Sequence, residues 1–167
     1  MKKLIFVAIM MAGLFAMSCK RTLPDQGTTA TVKMSNGWWV TYSLGGVSLL
    51  GDPVFMSTYN TAGNTADSMW VDDLGKFWDF KGVVGVDYKA LTFSNPMCIN
   101  DYYGDTAKIA NGKVLLKAGH SRAGNVTDSI YFEIQYSDDD TNMVAAPYFN
   151  TYIVSGTART GFIEDDY

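Results

Sequence analysis

The pattern of apolar runs constrains this fold more than any other feature, because beyond residue 33 short apolar and aromatic runs alternate with turn-forming residues. No stretch past residue 17 keeps apolar residues at a helical spacing over about 11 positions, the window that an amphipathic helix needs. Short runs bounded by Gly, Asn, Asp and Ser are typical of β-strands instead. The pattern predicts strands at residues 38–44, 54–60, 68–72, 76–86, 91–94, 106–110, 113–117, 129–136 and 151–159.

Three turn signals predict how these strands are joined. Asn111 and Gly112 stand between two apolar runs, and this pair favours a two-residue hairpin turn in which both residues have positive φ. Residues 73–75 and 87–89 predict two further hairpins. Tight turns produce antiparallel meanders, and about nine strands in one domain close into a barrel or fold into a sandwich.

The N-terminus has the order of regions found in an export signal. Lys2 and Lys3 precede an apolar run at residues 4–17, and small residues follow it. The run is shorter than the roughly 20 residues that a membrane-spanning helix needs. We therefore predict a signal peptide at residues 1–18.

The end of this signal resembles the box at which bacterial lipoproteins are cleaved and acylated, since Ala16-Met17-Ser18 precedes Cys19. We predict lipid attachment at Cys19, a polar tether at residues 19–33 and a single barrel domain at residues 34–167. The alternative is an ordinary signal-peptidase site, which would leave Cys19 able to form a disulfide with Cys98.

Charge and composition exclude two classes of site. The chain has 13 Lys and Arg against 17 Asp and Glu, a net charge of −4, and no basic run follows residue 21. Phosphate binding requires a basic surface, so we do not expect a nucleic-acid partner. One histidine and two cysteines cannot supply the four ligands of a His/Cys zinc site. We predict no metal site and no cofactor.

Gly37 and Trp39 form a Gly-x-Trp motif on the first strand, and the basic residue Arg159 ends the last predicted strand. This combination resembles the lipocalin-like (calycin) barrels. In that superfamily a Gly-x-Trp on the first strand closes one end of the barrel, and a late basic residue packs across the indole. Gly37 and Trp39 match the Gly-x-Trp positions, and Arg159 is the candidate basic partner. The resemblance implies a closed all-β barrel of eight to nine antiparallel strands, with these three residues as its plug.

A second resemblance covers most of the chain beyond the signal. It lies in Ser57-Thr58-Tyr59-Asn60-Thr61, in the run from Met69 to Lys81, in Asp128-Ser129-Ile130-Tyr131-Phe132-Glu133-Ile134, in Tyr152-Ile153-Val154-Ser155-Gly156 and in Arg159-Thr160-Gly161-Phe162. In these stretches the chain is similar to the family of Bacteroidetes lipoproteins labelled "lipid-binding putative hydrolase". The resemblance implies a fold and an envelope location, and it brings no catalytic residues.

One stretch is similar to the Gly-x-Ser-x-Gly elbow of α/β-hydrolases, namely residues 119–124 with Ser121 in the centre. That elbow needs a strand-to-helix turn and a separate base histidine. Here a strand run follows, and the only histidine, His120, lies within the stretch itself. We interpret the stretch as a surface hairpin loop and predict no catalytic residue.

The acidic pairs have simple interpretations as well. Asp138, Asp140 and Asn142 match the opening of a calcium loop, but Met143 and Phe149 stand where that loop requires Gly and Glu. We therefore interpret residues 138–149 as a solvated loop.

The aromatic residues carry the remaining signal for ligand binding. Eight strands enclose an interior that side chains either fill or leave wide enough for one ligand, so a packed core and a lined cavity both fit the composition. If a cavity exists, we expect four aromatic side chains to line it: Trp70, Trp78, Tyr131 and Tyr152.

These observations favour a secreted lipoprotein barrel that binds a small apolar or amphipathic, lipid-like molecule non-covalently. It would be held at the outer membrane by N-terminal acylation alone, facing the periplasm or exposed on the cell surface. Two alternatives stay open. One is a hydrolase of lipids or esters with Ser121 as nucleophile, and the other is a ligand-free module that docks another envelope protein through an exposed apolar patch.

Overall fold

The computed structural model describes residues 27–139 and 150–167. They form nine strands: β1 (Asn36–Leu44), β2 (Val47–Ser48), β3 (Val54–Asn60), β4 (Ser68–Asp72), β5 (Lys81–Asp87), β6 (Thr92–Ile99), β7 (Thr106–His120), β8 (Val126–Tyr136) and β9 (Tyr152–Ala158). A 3-10 turn follows at Ile163–Asp165. The predicted signal peptide, Cys19 and the calcium-loop residues from 140 to 149 lie outside the described residues.

The strands form one closed antiparallel sheet. Strands β3 to β9 each pair with the next in chain order, and β9 returns to pair with β1, which also pairs with β3. Strand β2 is a two-residue extra strand that folds back on the end of β1. The barrel therefore has eight strands, and the predicted all-β meander barrel is confirmed.

Alternation along the strands separates an interior from an exterior. In β1 the side chains of Trp38, Val40 and Tyr42 are buried, while those between them are only partly buried. The buried apolar side chains of all eight barrel strands join in one core cluster. The cavities found among the described residues open on the wall or rim of the barrel. Large buried side chains such as Trp38, Tyr42, Phe132 and Tyr136 occupy the described interior, which favours the packed core of the two interpretations that the composition allowed.

The predicted hairpin at Asn111 and Gly112 is wrong. Both residues lie inside β7, and only Asn111 has positive φ, at 55°. The register to β8 runs from Ala110 opposite Glu133 to Lys113 opposite Tyr131, so two residues of β7 face one of β8. This is a β-bulge, which uses the same conformational freedom as a hairpin turn. The predicted strands 106–110 and 113–117 are thus parts of one strand.

The predicted strand at 76–86 begins later than expected, because β5 starts at Lys81. The preceding residues 73–80 form a loop around the buried carboxylate of Asp73. This carboxylate accepts backbone hydrogen bonds from Gly75, Trp78 and Phe80 at 2.8–2.9 Å. Strands β4 and β5 do form the predicted antiparallel pair, but the loop at 73–80 joins them and not a turn confined to residues 73–75. The hairpin predicted at 87–89 joins β5 to β6.

One end of the barrel, which we call the terminal end, is closed by the residues that flank the strands. Residues 29–35 turn across it, and the fully buried Met34 lies against the core. The indole of Trp38 donates to the hydroxyl of Thr58 at 2.8 Å, and that hydroxyl donates to the Met34 carbonyl. Thr31 is also fully buried and donates to Asn60. Residues 29–33, predicted as tether, thus pack against the barrel.

The C-terminal residues 159–167 complete the terminal end. The buried carboxylate of Asp165 accepts hydrogen bonds from the Ala123 amide, the Asn125 side chain and the Thr160 hydroxyl, at 2.6–3.1 Å. These bonds fasten the tail to the β7–β8 hairpin. They also hold the pKa of Asp165 well below its usual range, together with a hydrogen bond from Ser121.

The opposite end, which we call the aromatic end, is closed by stacked rings from the loop at 73–80 and the adjoining strand ends. Phe77 stacks on Tyr42 with ring centroids 4.2 Å apart, and Trp78 stacks on Tyr136 at 4.6 Å. Tyr152 lies 5.4 Å from Phe77. The Trp78 indole donates to Asp138 at 2.9 Å, which fixes the loop to the end of β8.

Candidate ligand-binding site

The four aromatic residues predicted to line a cavity separate into two groups. Trp78 and Tyr152 meet at the aromatic end, 5.7 Å apart. Trp70 and Tyr131 lie on the outer wall, because their strand neighbours Met69 and Ile130 occupy the interior positions. The structure therefore does not bring the four into one site.

The wall around Trp70 contains a local separation of two strands. Pairing between β5 and β6 ends at Gly85 opposite Ser94, and the next backbone hydrogen bond joins Asp101 to Lys81. Between these points the Val83 carbonyl accepts instead from the side chains of Asn95, at 2.8 Å, and Cys98, at 3.1 Å. Strand β6 has a bulge here, since its register to β7 shifts between Asn95 and Cys98.

An apolar groove of about 320 Å³ lies on the outside of this separation. It is lined by Trp70, Val83, Asn95, Met97, Ile99 and Asp101. Met97 and Ile99 are 68% and 67% exposed, which is a large exposure for apolar side chains. The bulge turns Met97 and Ile99 outward on either side of the buried Cys98. The apolar walls of the groove are therefore exposed to solvent.

The rim of the groove is polar and carries one ion pair. The Lys81 ammonium lies 2.9 Å from the Asp101 carboxylate and 4.7 Å from the centre of the Trp70 ring. The Tyr59 ring stacks on Trp70 at 6.4 Å. Its hydroxyl donates to Asp72, and burial together with that hydrogen bond raises the pKa of Tyr59 above its ordinary value. The apolar groove thus has a charged rim beside it.

Cys98 lies behind the groove. Its side chain is buried, and burial raises the pKa of the thiol to about 11. A methyl group added at Gly82 would lie 2.3 Å from the Cys98 sulfur, so glycine is required for this packing. The thiol is consequently protonated at neutral pH and acts as a hydrogen-bond donor to Val83.

The elbow-like stretch at Ser121 forms the hairpin loop between β7 and β8, as the sequence predicted. The Ser121 hydroxyl accepts a hydrogen bond from the Asn125 amide at 3.0 Å and interacts with the Asp165 carboxylate. A carboxylate whose pKa lies below its usual range is a weak base, so this pair does not activate the hydroxyl. The local chemistry is that of a structural loop.

The predicted plug residues lie at the terminal end, but Trp38 and not Trp39 fills the interior there. Trp39 faces outward on β1 and packs between Phe55 and Tyr167, at 5.3 and 5.5 Å. Gly37 faces outward too, because an added methyl group would lie 2.6 Å from the Phe55 ring. Successive side chains of a strand point to opposite faces, so Trp38, which lies between the outward-facing Gly37 and Trp39, points to the interior.

Arg159 follows β9 and forms a two-point ion pair with Asp166 in the C-terminal tail, at 2.7 and 2.5 Å. It therefore helps to hold the tail whose last residue, Tyr167, covers Trp39. Within residues 27–139 and 150–167, no group of three or more His, Cys, Asp and Glu side chains is placed to hold a metal ion. The same residues contain no helix long and apolar enough to cross a membrane.

Sequence reasoning missed Met97 and Ile99, the most exposed side chains of the groove. The predicted strand at 91–94 stops before them, and the actual β6 continues to Ile99. Pro96 was the available signal, since proline inside a strand run marks a bulge or an edge.

The fold and this groove define an eight-stranded barrel with an apolar channel on its outer wall. A model of the family described as "Lipid-binding putative hydrolase" matches residues 23–163. The chain belongs to this family, as its resemblance in several strand motifs predicted. No curated protein matches the chain.

Proposed function

We propose that this protein binds a lipid-like molecule non-covalently, and that the apolar part of the ligand lies in the groove between Trp70, Met97 and Ile99. The exposure of Met97 and Ile99 on a wall where β5 and β6 separate is the observation that carries the proposal. Covering such side chains removes apolar surface from water, at about 25 cal/mol per Å². The lipid-binding family supports the same ligand class.

The polar rim suits an amphipathic ligand better than a purely apolar one. Lys81 and Asp101 lie at one end of the groove, so a ligand with a polar head can place that head beside the ion pair while its chain covers Ile99. The rim offers both a cationic and an anionic partner.

The proposal includes anchoring through an acylated Cys19 in the cell envelope, facing the periplasm or the cell surface. The described chain enters the barrel at the terminal end, where residues 29–35 pack. A lipid on Cys19 would leave the wall groove accessible, because the groove lies on β4 to β6 and not across the terminal end. Membrane fractionation of a Cys19→Ser variant tests this part: loss of the membrane-bound fraction is expected, and unchanged fractionation contradicts it.

Binding to the groove is tested by titrating the full chain with oleate and with lysophosphatidylcholine. Ile99→Asp and Met97→Asp place a carboxylate in the channel and are expected to weaken binding by roughly ten-fold or more, since burying one such side chain is worth about 1.5–3 kcal/mol. The matched control is Val126→Asp. Val126 is an apolar strand residue that is 62% exposed but lies outside the groove.

Two results would contradict the proposal. One is the absence of saturable binding of either probe by the unsubstituted chain. The other is equal affinity in Ile99→Asp, Val126→Asp and the unsubstituted chain, which would place the ligand elsewhere on the barrel.

A further inference from the structure

A second groove lies on another part of the barrel wall, across β5 to β8, and its chemistry differs from that of the apolar groove beside Trp70. Its volume is about 890 Å³, within the range of small-molecule sites in proteins. The side chains that give it its character are Asp67, Asp87, Asn111, Lys113, Tyr131 and Glu133. None of these side chains lines the apolar groove beside Trp70.

Two glycines lie on the lining of this groove, Gly85 and Gly112. A methyl group at Gly112 would lie 2.4 Å from the Phe93 carbonyl and 2.5 Å from the Phe93 ring, so this glycine is required for packing against the core. At Gly85 on β5 the same methyl group would meet only the Ser94 carbonyl, at 3.5 Å, which is an ordinary contact. A side chain at position 85 would therefore fit the fold and occupy the groove.

The polar wall is held in place before any ligand binds. Glu133 accepts a hydrogen bond from the Tyr131 hydroxyl on one oxygen and from the Asn111 amide on the other, each at 3.0 Å. The bulge positions Asn111 for this contact. Lys113 places its ammonium 5.0 Å from the centre of the Tyr131 ring. An aromatic ring, an amide, a carboxylate and an ammonium thus converge on one side of the groove.

The charge of the groove restricts what it can bind. Asp67, Asp87 and Glu133 face one cation, Lys113, so an anionic headgroup or a phosphate would be repelled. Polar side chains form a much larger share of this wall than of the groove beside Trp70, so polar contacts select its ligand. Carboxylates, amides and hydroxyls beside an aromatic ring suit neutral hydroxyl groups, because each hydroxyl can both donate and accept.

We propose that this groove binds a neutral, hydroxyl-rich ligand of the saccharide class. Sugar hydroxyls would donate to the acidic side chains and accept from Asn111 and Lys113, and the ligand would lie across the floor at Gly85. This site is separate from the lipid-binding groove and does not depend on it.

The test uses the full chain on an array of neutral oligosaccharides built from glucose, galactose, mannose and xylose, followed by calorimetric titration of any sugar that binds. Gly85→Trp fills the groove without disturbing the core, and Glu133→Gln removes one carboxylate. Both are expected to weaken binding by roughly ten-fold or more, Gly85→Trp because the indole occupies the groove and Glu133→Gln because hydrogen bonds to a charged group are lost. The matched control is Leu115→Trp, a bulky change at an exposed strand position outside the groove.

Failure of the unsubstituted chain to bind any sugar on the array overturns the proposal, and so does binding that Gly85→Trp leaves unchanged. Oleate binding by Gly85→Trp should equal that of the unsubstituted chain. This second titration separates a failure of the saccharide site from a failure of the lipid site, and an unchanged thermal unfolding midpoint shows independently of either site that the variant is folded.

Discussion

The two ends of the barrel are closed by different kinds of interaction. At the terminal end, residues 29–35 and 159–167 are fastened by directional hydrogen bonds to Thr58, Asn60 and Asp165. At the aromatic end, the loop at 73–80 lays Phe77 and Trp78 on the rings of Tyr42 and Tyr136. The loop at 73–80 is also ordered by a buried carboxylate, that of Asp73, so the contrast lies in the stacked rings with which this loop closes the aromatic end. Neither closure uses the wall where the grooves lie.

The largest expected effect concerns Trp38, which joins the core to the terminal end. Trp38→Ala removes a fully buried indole and its hydrogen bond to Thr58, and it should lower the free energy of unfolding by about 3–5 kcal/mol. Urea denaturation measures this loss. Trp39→Ala is the control, because its half-buried side chain lies outside the barrel, and an equal loss in both variants would refute the assignment of Trp38 to the interior.

The aromatic end should be less sensitive. Trp78→Ala removes the ring stacked on Tyr136 and the hydrogen bond to Asp138, with an expected loss of about 1–3 kcal/mol in the free energy of unfolding. Trp70→Ala is matched in size but lies on the outer wall, so it should cost less stability while weakening oleate binding. If Trp70→Ala proved the more destabilising of the two, the description of the aromatic end as a stacked closure would be wrong.

A smaller effect, the pH dependence of stability, distinguishes the two ends of the barrel. The pKa of Asp165 is depressed in the folded state, so its contribution to stability is present above its unfolded pKa of about 3.9 and is lost as the pH falls toward the folded value. The thermal unfolding midpoint of Asp165→Asn should therefore be lower than that of the unsubstituted chain at pH 7. This difference in midpoint should shrink below about pH 4.

The control for this pH dependence is Phe77→Ala, whose destabilisation comes from lost ring contacts with Tyr42 and Tyr152 and should change little over the same range. A difference between Asp165→Asn and the unsubstituted chain that stayed constant down to pH 2.5 would contradict the role given to the carboxylate.

The fold could be predicted from the sequence because short apolar runs separated by turn residues indicate strands directly. The runs at 54–60 and 68–72 match β3 and β4 residue for residue. The bulge at Asn111 could not be told from a hairpin, since both need a residue that tolerates positive φ. Which of the two interpretations holds depends on whether β7 continues alongside β8, and this is a tertiary contact that local sequence does not encode.

The candidate site was less predictable than the fold. Trp70 was expected to contribute, and it does line the apolar groove, but on the outer wall instead of inside a cavity. Met97 and Ile99 carry the exposed surface only because β6 bulges and separates from β5. Pro96 signals an irregularity in this strand, but not that the side chains of Asn95 and Cys98 replace the backbone partner of Val83.

Under the proposed function, a lipid-like ligand lies on the wall beside Trp70 and not within the packed interior. Fatty acids brominated on the chain quench tryptophan fluorescence at short range, so titrating the unsubstituted chain and Trp70→Phe with brominated stearate locates the chain. We predict marked quenching in the unsubstituted chain and its loss in Trp70→Phe, which should still bind oleate. Quenching that persists in Trp70→Phe would place the ligand near Trp38, Trp39 or Trp78 and would contradict the account.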